Sequence, residues 1–149
     1  TTLEHSPAKV GKSYICHSNK LVTLKGSPGV INGKFLCGDN KLKTLAGGPL
    51  IVNGDYECDG NYITSLEGIH NHIKEIHGIL HLVHNNLRSN IIGVLKIKGL
   101  EAITLDDNIA NNRGRKLQDI INRHLAGARD ILACQEELLD AKLTTFARL

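Results

Sequence analysis

Large side chains are scarce in this sequence. Tryptophan and methionine are absent, and aromatic residues make up only 3% of the 149 residues, whereas 41% are hydrophobic. The core must therefore be built mainly from Leu, Ile, Val and Cys, which suits narrow stacked layers better than one thick globular core. Proline is also rare, with 3 residues against 15 glycines, so glycine must serve most of the turns.

Long apolar runs and charge of a single sign are also missing. No stretch approaches the roughly 18 apolar residues of a membrane span, and residues 1–12 lack the apolar segment of a signal peptide. Residues 1–108 carry 11 Lys/Arg against 10 Asp/Glu, and residues 109–149 carry 7 against 5. This balance disfavours a nucleic-acid partner, which usually requires a field of one sign. The sequence predicts a cytoplasmic protein with reduced cysteines and no membrane contact.

The sequence does contain a repeat with a period of 21 residues. The residues in phase are Pro7, Pro28 and Pro49; Cys16, Cys37 and Cys58; Tyr14, Phe35 and Tyr56; Asn19, Asn40 and Asn61; and Leu3, Leu24, Leu45 and Leu66. The unit reads N-x-L-x-x-L-x-G-x-P-x-x-V-x-G-x-(F/Y)-x-C-x-x. It fits the leucine-rich template L-x-L-x-x-N-x-L-x-x-L.

Each slot of the unit has a physical reason. Phe35 and Cys37 are two positions apart in a short strand, so both side chains are expected to point inward, with Phe35 as a large and Cys37 as a small part of the core. Asn40 is expected to turn inside the coil and bind backbone groups that would otherwise be buried without partners. Gly47 and Gly54 are expected to permit turns with positive φ. We therefore predict an α/β repeat protein, with a leucine-rich-repeat-type β-solenoid over residues 1–108.

The repeat becomes irregular after Leu66. The glycine, strand and asparagine slots recur at a spacing of 24, which implies three extra residues within 69–76. The residues that recur are Gly78, Leu80, Leu82 and Asn85. A shorter unit is then predicted, with Leu95 and Ile97 as its strand, followed by a further strand at residues 103–105.

From Asn111 the spacing of apolar residues becomes helical. Residues 117–125 predict one amphipathic helix, and Asp130 is a suitable N-cap for a second. Two helices in residues 109–149 are expected to cap the last coil within one structural unit, because an uncovered coil would expose its core. No comparable cap precedes Pro7, so self-association through the N-terminal coil is an open alternative.

The unit NKLKTLAGGPLIVNGDYECDG resembles the leucine-rich-like repeats of small proteins of tailed bacteriophages. The ending LQDIINRHLAGARDILACQEELLDAKLTTFARL resembles the helical tail that often follows such repeats. The resemblance covers most of the chain, and it implies a solenoid fold, a phage origin and a host-directed binder or inhibitor. It brings no catalytic residues, because the family shares no reaction.

Strand residues that point outward form the first candidate site. A repeated strand face gives a wide and rigid platform, on which leucine-rich solenoids typically bind proteins. Mixed charge and exposed aliphatic side chains suit a protein partner better than DNA. The predicted partner-binding residues are Lys34, Leu36, Asp55, Glu57, Ile79, His81, Lys96 and Lys98.

Five histidines and a basic helix provide two alternative sites. The histidines fall within 15 residues and could converge on a metal, which would permit a metal-dependent enzyme; they are His70, His72, His77, His81 and His84. The helix cations could bind the phosphates of a nucleic acid; they are Arg113, Arg115, Lys116 and Arg123. The preferred interpretation is a non-enzymatic protein-binding module, with no catalytic residue, metal site or cofactor.

Overall fold

The chain folds as a parallel β-solenoid that is closed by helices at its C-terminal end. The structure is a computed structural model that describes residues 2–149. Its strands are β1 (Lys9–Val10), β2 (Tyr14–Ile15), β3 (Val30–Ile31), β4 (Phe35–Leu36), β5 (Ile51–Val52), β6 (Tyr56–Glu57), β7 (Glu75–Ile76), β8 (Ile79–His81) and β9 (Ala102–Thr104). Its helices are α1 (Ile69–His72), a 3₁₀ helix (Ile92–Lys96), α2 (Ile109–Asn112), α3 (Gly114–Ala126) and α4 (Ile131–Asp140).

Two parallel sheets run along the solenoid. The four-stranded sheet has the order β1-β3-β5-β7, and the five-stranded sheet has the order β2-β4-β6-β8-β9. In the second sheet Phe35 pairs with Tyr14 and Tyr56, which are 21 residues away on either side. Tyr56 pairs with Leu80, 24 residues on, which confirms the three-residue insertion. The solenoid with a helical cap is thus the predicted fold, with a second sheet in addition.

Asparagines stacked inside the coils confirm the expectation for the Asn slot. Asn40 and Asn61 are buried. Asn40 Oδ1 accepts a hydrogen bond from the backbone N–H of Leu21 at 3.0 Å, and Nδ2 donates to the carbonyls of Cys16 and Cys37 at 3.0 and 3.1 Å. Asn61 repeats this pattern one coil later. Each amide joins two coils and pairs backbone groups that the turn leaves without a ladder partner.

Glycines serve two different purposes in the coils. Gly47 has a φ of 80°, as predicted for a turn that an L side chain rarely adopts. The prediction of a positive φ at Gly54 is wrong, because Gly54 is absent from the positive-φ glycines of the described chain. A Cβ at Gly54 would lie 3.1 Å from the backbone of Gly33. Gly54 therefore allows adjacent coils to approach closely.

The strand predicted at Leu95 and Ile97 is wrong. Leu95 lies in the 3₁₀ helix, and Ile97 is the buried residue that follows this helix. The strand that pairs with β8 is β9, so residues 82–101 form one full coil. The segment packs against α3 and α4 and buries consecutive residues, including Val94. A short, continuously buried apolar run does not distinguish a strand from a helix.

Helices α3 and α4 close the solenoid, as predicted for residues 109–149. Helix α3 packs on β9 with Leu117 and Ile121 fully buried. The carboxylate of Asp130 accepts a hydrogen bond from the backbone N–H of Ala133 at 3.1 Å, which confirms the predicted N-cap of α4. Among residues 2–149, no helix has the length and apolar character needed to cross a membrane.

Candidate functional site

The outward side of the five-stranded sheet is the candidate site. Residues of its strands alternate between core and surface: Phe35 and Tyr56 are buried, whereas Leu36 and Glu57 are partly exposed. We call this surface the outer face. Its residues are Ser13, Ile15, Lys34, Leu36, Asp55, Glu57, Ile79, His81, Ala102 and Thr104.

Six of the eight predicted partner-binding residues lie on the outer face: Lys34, Leu36, Asp55, Glu57, Ile79 and His81. The predicted placement of Lys96 and Lys98 on this face is wrong. Lys96 ends the 3₁₀ helix, and Lys98 bridges to Glu75 of the four-stranded sheet, with Nζ 3.3 Å from Oε1. Both were assigned to the outer face because of the incorrect strand at Leu95 and Ile97.

The sequence-based site omitted the two ends of the outer face. Ile15, in the first coil, is 64% exposed and pairs in register with Leu36. Thr104, in the last strand, pairs in register with His81. The 21-residue phase identifies Ile15 directly, since it precedes Leu36 by one period. Thr104 follows His81 by 23 residues, so the irregular final coil hid its place on the face.

Four charged or titratable side chains meet at the centre of the outer face. We call Lys34, Asp55, Glu57 and His81 the Lys34 cluster. Lys34 Nζ lies 2.8 Å from Asp55 Oδ2 and 3.6 Å from Glu57 Oε1. Asp55 Oδ1 accepts a hydrogen bond from the backbone N–H of Ile79 at 3.0 Å. The cluster thus spans three successive strands and is fixed at Asp55 by the sheet itself.

The charges of the Lys34 cluster support each other. The hydrogen bond from Lys34 lowers the pKa of Asp55 from its ordinary value, and the backbone hydrogen bond from Ile79 acts in the same direction. The pKa of Lys34 is raised, chiefly by its hydrogen bond to Asp55. Both side chains are therefore charged at neutral pH. The centre of the outer face presents an ordered pattern of positive and negative charge to a partner.

Asp55, Glu57 and His81 also form the one group of possible metal ligands among residues 2–149. One donor atom from each lies within 4.8 Å of the others. Two carboxylates and an imidazole suit a divalent transition metal. However, the Lys34 ammonium already pairs with both carboxylates, at 2.8 Å from Asp55 and 3.6 Å from Glu57. A metal at this place would have to displace Lys34 and share Asp55 with the sheet backbone.

The five histidines of residues 70–84 do not converge in the structure. His77 contacts Glu75 at 3.1 Å, and His84 lies 3.5 Å from Asp106. His81 contacts Thr104 across the outer face at 3.2 Å. Within the described chain, no three of these histidines meet as metal ligands. The structure therefore does not assemble the constellation that the metal-dependent alternative requires.

The helix cations of the nucleic-acid alternative are largely engaged within the cap. Arg113 donates to the backbone carbonyl of Ala141 at 2.9 Å. Arg115 pairs with Asp107 at 3.1 Å, and Arg123 pairs with Glu137 at 2.6 Å. Salt bridges within the protein reduce the positive potential that would attract the phosphates of a nucleic acid. Arg113 and Arg123 thus join the two ends of α3 to α4, whereas Arg115 bonds a residue that precedes α2.

The cysteine column, formed by Cys16, Cys37 and Cys58 of three successive coils, is buried, as predicted for Cys37. The four cysteines are free and buried. Burial raises the pKa of Cys16 to about 11 and the pKa values of Cys37 and Cys58 well above their usual range. A thiol with a raised pKa is a poor nucleophile, because the thiolate is the reactive form. These side chains serve as small apolar parts of the core.

Comparison of the chain with protein-family models, with curated proteins and with solved structures gave no match. The function must therefore be inferred from the surface chemistry of the solenoid and its cap. Fold alone does not assign a function, whereas the chemistry of particular side chains can indicate one.

Proposed function

We propose that this chain is a non-enzymatic module that binds a protein partner on its outer face. The observation that carries the proposal is the combination of one continuous five-stranded face with an ordered, mixed-charge cluster at its centre. Exposed aliphatic side chains flank the cluster. Ile15 is 64% exposed, and Leu36 and Ile79 are partly exposed.

The chemistry of the outer face suits a folded or extended protein surface. Aliphatic groups supply area that becomes buried on association, and this area gives a favourable free energy of about 25 cal/mol per Å². The charges of Lys34, Asp55 and Glu57 select the partner, because each must meet an opposite charge or a hydrogen-bonding group. A nucleic acid would place phosphates beside Asp55 and Glu57, which repel them.

The proposal includes the biological setting that the bacteriophage resemblance implies. The chain is then a phage-encoded factor that acts in the host cytoplasm, and its partner is a host or phage protein. Binding, rather than turnover, is the activity. The partner is held on a preformed surface, which limits the conformational entropy lost on association.

The proposal is tested by capture followed by an affinity measurement. The immobilised chain is exposed to lysates of infected and uninfected bacteria, and each captured protein is purified and titrated against the free chain. Two outer-face variants are compared with the natural sequence: the Leu36→Glu/Glu57→Arg double variant and Ile15→Glu. Both should weaken binding by about tenfold or more, as expected when a charge replaces an apolar side chain, or the sign of a charge is reversed, inside an interface.

Val22→Glu is the matched control for Ile15→Glu. Val22 is 63% exposed, against 64% for Ile15, but it lies outside both sheets. The control should bind within about twofold of the natural chain. An affinity that is unchanged in both outer-face variants would overturn the proposal. Equal loss in Val22→Glu would show that the variants act through general destabilisation or another surface.

A further inference from the structure

The outward side of the cap carries an apolar surface that the proposed function does not use. Leu132 and Leu139 of α4 are 71% and 49% exposed, and Leu149 is 42% exposed. An open groove of about 470 Å³ separates α4 from the C-terminal segment, and Leu132 and Leu139 line it. Leu132 and Leu139 lie about two turns apart on one side of α4, and burying both against a partner would be favourable.

Two charges of opposite sign border the same groove. Glu136 lies on the exposed side of α4 between the two leucines, and Arg148 lies on the opposite wall. The ion pairs of the cap involve other residues, so neither Glu136 nor Arg148 has an ionic partner within residues 2–149. The groove therefore presents a leucine surface with one free acid and one free base.

We infer that two copies of this chain associate through this groove about a two-fold axis. In a two-fold contact the same patch serves both copies, so each residue of a complementary pair occurs twice. Glu136 of each copy then meets Arg148 of the other, and the Leu132 and Leu139 side chains pack across the axis. The patch is self-complementary in charge, which favours a second copy over a partner with charge of one sign.

The resulting dimer leaves the outer face free. Helix α4 packs against α3 and the 3₁₀ helix, whereas the outer face belongs to the strands of the five-stranded sheet. A dimer therefore presents two outer faces to its partners, which raises avidity when a target carries two sites. The inference does not depend on the proposed function, since either surface can be removed by substitution without altering the other.

The test is the mass of the chain in solution, measured by sedimentation equilibrium over about 1–500 μM, since a small interface gives a micromolar Kd. The natural chain should approach twice the 16.3 kDa monomer mass at the upper end. Leu132→Glu/Leu139→Glu should remain a monomer. Leu50→Glu is the matched control, because Leu50 is 49% exposed like Leu139 but lies beside the four-stranded sheet, and it should dimerise as the natural chain does.

Charge reversal provides a second, independent readout. Glu136→Arg alone and Arg148→Glu alone each place like charges together twice per dimer, so each should weaken dimerisation by about tenfold. The double variant Glu136→Arg/Arg148→Glu restores opposite charges and should return to within about threefold of the natural Kd. All these positions are exposed, so circular dichroism should show unchanged folding.

Three results would overturn the inference. One is a natural chain that stays monomeric throughout the concentration range, which would mean that a second copy does not cover the groove. Another is a dimer that survives Leu132→Glu/Leu139→Glu, which would move the contact elsewhere, for example to the N-terminal coil. The third is a charge-reversed double variant that is no better than the single variants.

Discussion

The side chain of Asn122 pairs with the backbone of Ile103 as a neighbouring strand would. Asn122 Oδ1 accepts from the Ile103 N–H at 2.8 Å, and Nδ2 donates to the Ile103 carbonyl at 3.0 Å. Gln118 Oε1 accepts in the same way from the N–H of Leu105 at 2.7 Å. Helix α3 thus satisfies the open edge of β9 with side-chain amides. This edge would otherwise invite another strand.

Removing this amide should destabilise the chain. Asn122→Ala leaves both backbone groups of Ile103 without their partner, so we expect the free energy of unfolding to fall by about 1–3 kcal/mol. Asn122→Asp keeps an acceptor for the Ile103 N–H but loses the donor, and should give an intermediate loss. Urea unfolding followed by circular dichroism measures the change. Equal stability of the natural chain and Asn122→Ala would contradict the edge-pairing role.

The buried asparagines inside the solenoid should contribute more to the free energy of unfolding than the exposed asparagine of the first coil. Asn61 is buried and bonds the backbone of Leu42, Cys37 and Cys58, so Asn61→Ala should cost about 2–5 kcal/mol. Asn19 occupies the same slot but is exposed, and Asn19→Ala should cost less than about 1 kcal/mol. Urea midpoints of the two variants test this ranking. Similar losses of stability in the two variants would mean that the position in the repeat, rather than burial, determines how much each asparagine stabilises the chain.

The regular part of the fold can be predicted from the sequence, because residues at the same position of successive repeats have the same structural environment. Asn40 and Asn61 stand in the same phase and make the same bonds, so a single physical argument predicts both. This regularity ends where the spacing of the repeat changes. The consecutive buried residues Val94 and Leu95 satisfy either a strand or a 3₁₀ helix in sequence, and only packing against α3 and α4 decides between them.

The candidate site, like the fold, could be predicted from the sequence where the coils are regular. Lys34 and Asp55 lie in the regular coils, and alternation along a strand places both on the outer face. Their ion pair depends on stacking distances between coils, which a sequence pattern does not contain. The hydrogen bond between Asn122 and Ile103 could not be predicted either. A helical pattern does not distinguish an asparagine that faces solvent from one that pairs with the edge strand of a sheet.

The Lys34–Asp55 pair makes stability depend on pH in the acid range. The folded-state pKa of Asp55 is lowered, so its contribution is present above its unfolded pKa of about 3.8 and is lost as the pH falls through the folded value. Lys34→Met removes the main cause, and the pKa of Asp55 should rise in an NMR titration of its carboxyl group. The variant should also lose less stability than the natural chain on acidification below pH 4. If the pKa of Asp55 is the same in Lys34→Met as in the natural chain, then the hydrogen bond from the Ile79 N–H, and not Lys34, is what lowers it.

The cysteines should be unreactive in the folded chain. Labelling with a thiol reagent at neutral pH should be slow in native buffer and should reach all 4 thiols in denaturant. Cys16 should react before Cys37, because Cys16 is 7% exposed and Cys37 is 0% exposed. Mass spectrometry of the labelled peptides gives the order. Rapid native labelling of Cys37 or Cys58 would contradict the packed cysteine column.

The outer face is tested most directly by covalent footprinting of a captured complex, in which a radical or carbene reagent labels exposed aliphatic side chains. The account predicts that the partner protects Ile15, Leu36 and Ile79, while labelling of Val22 stays unchanged. Protection of Val22, with Ile15 and Leu36 labelled as in the free chain, would contradict the claim that this solenoid binds its partner on the five-stranded sheet.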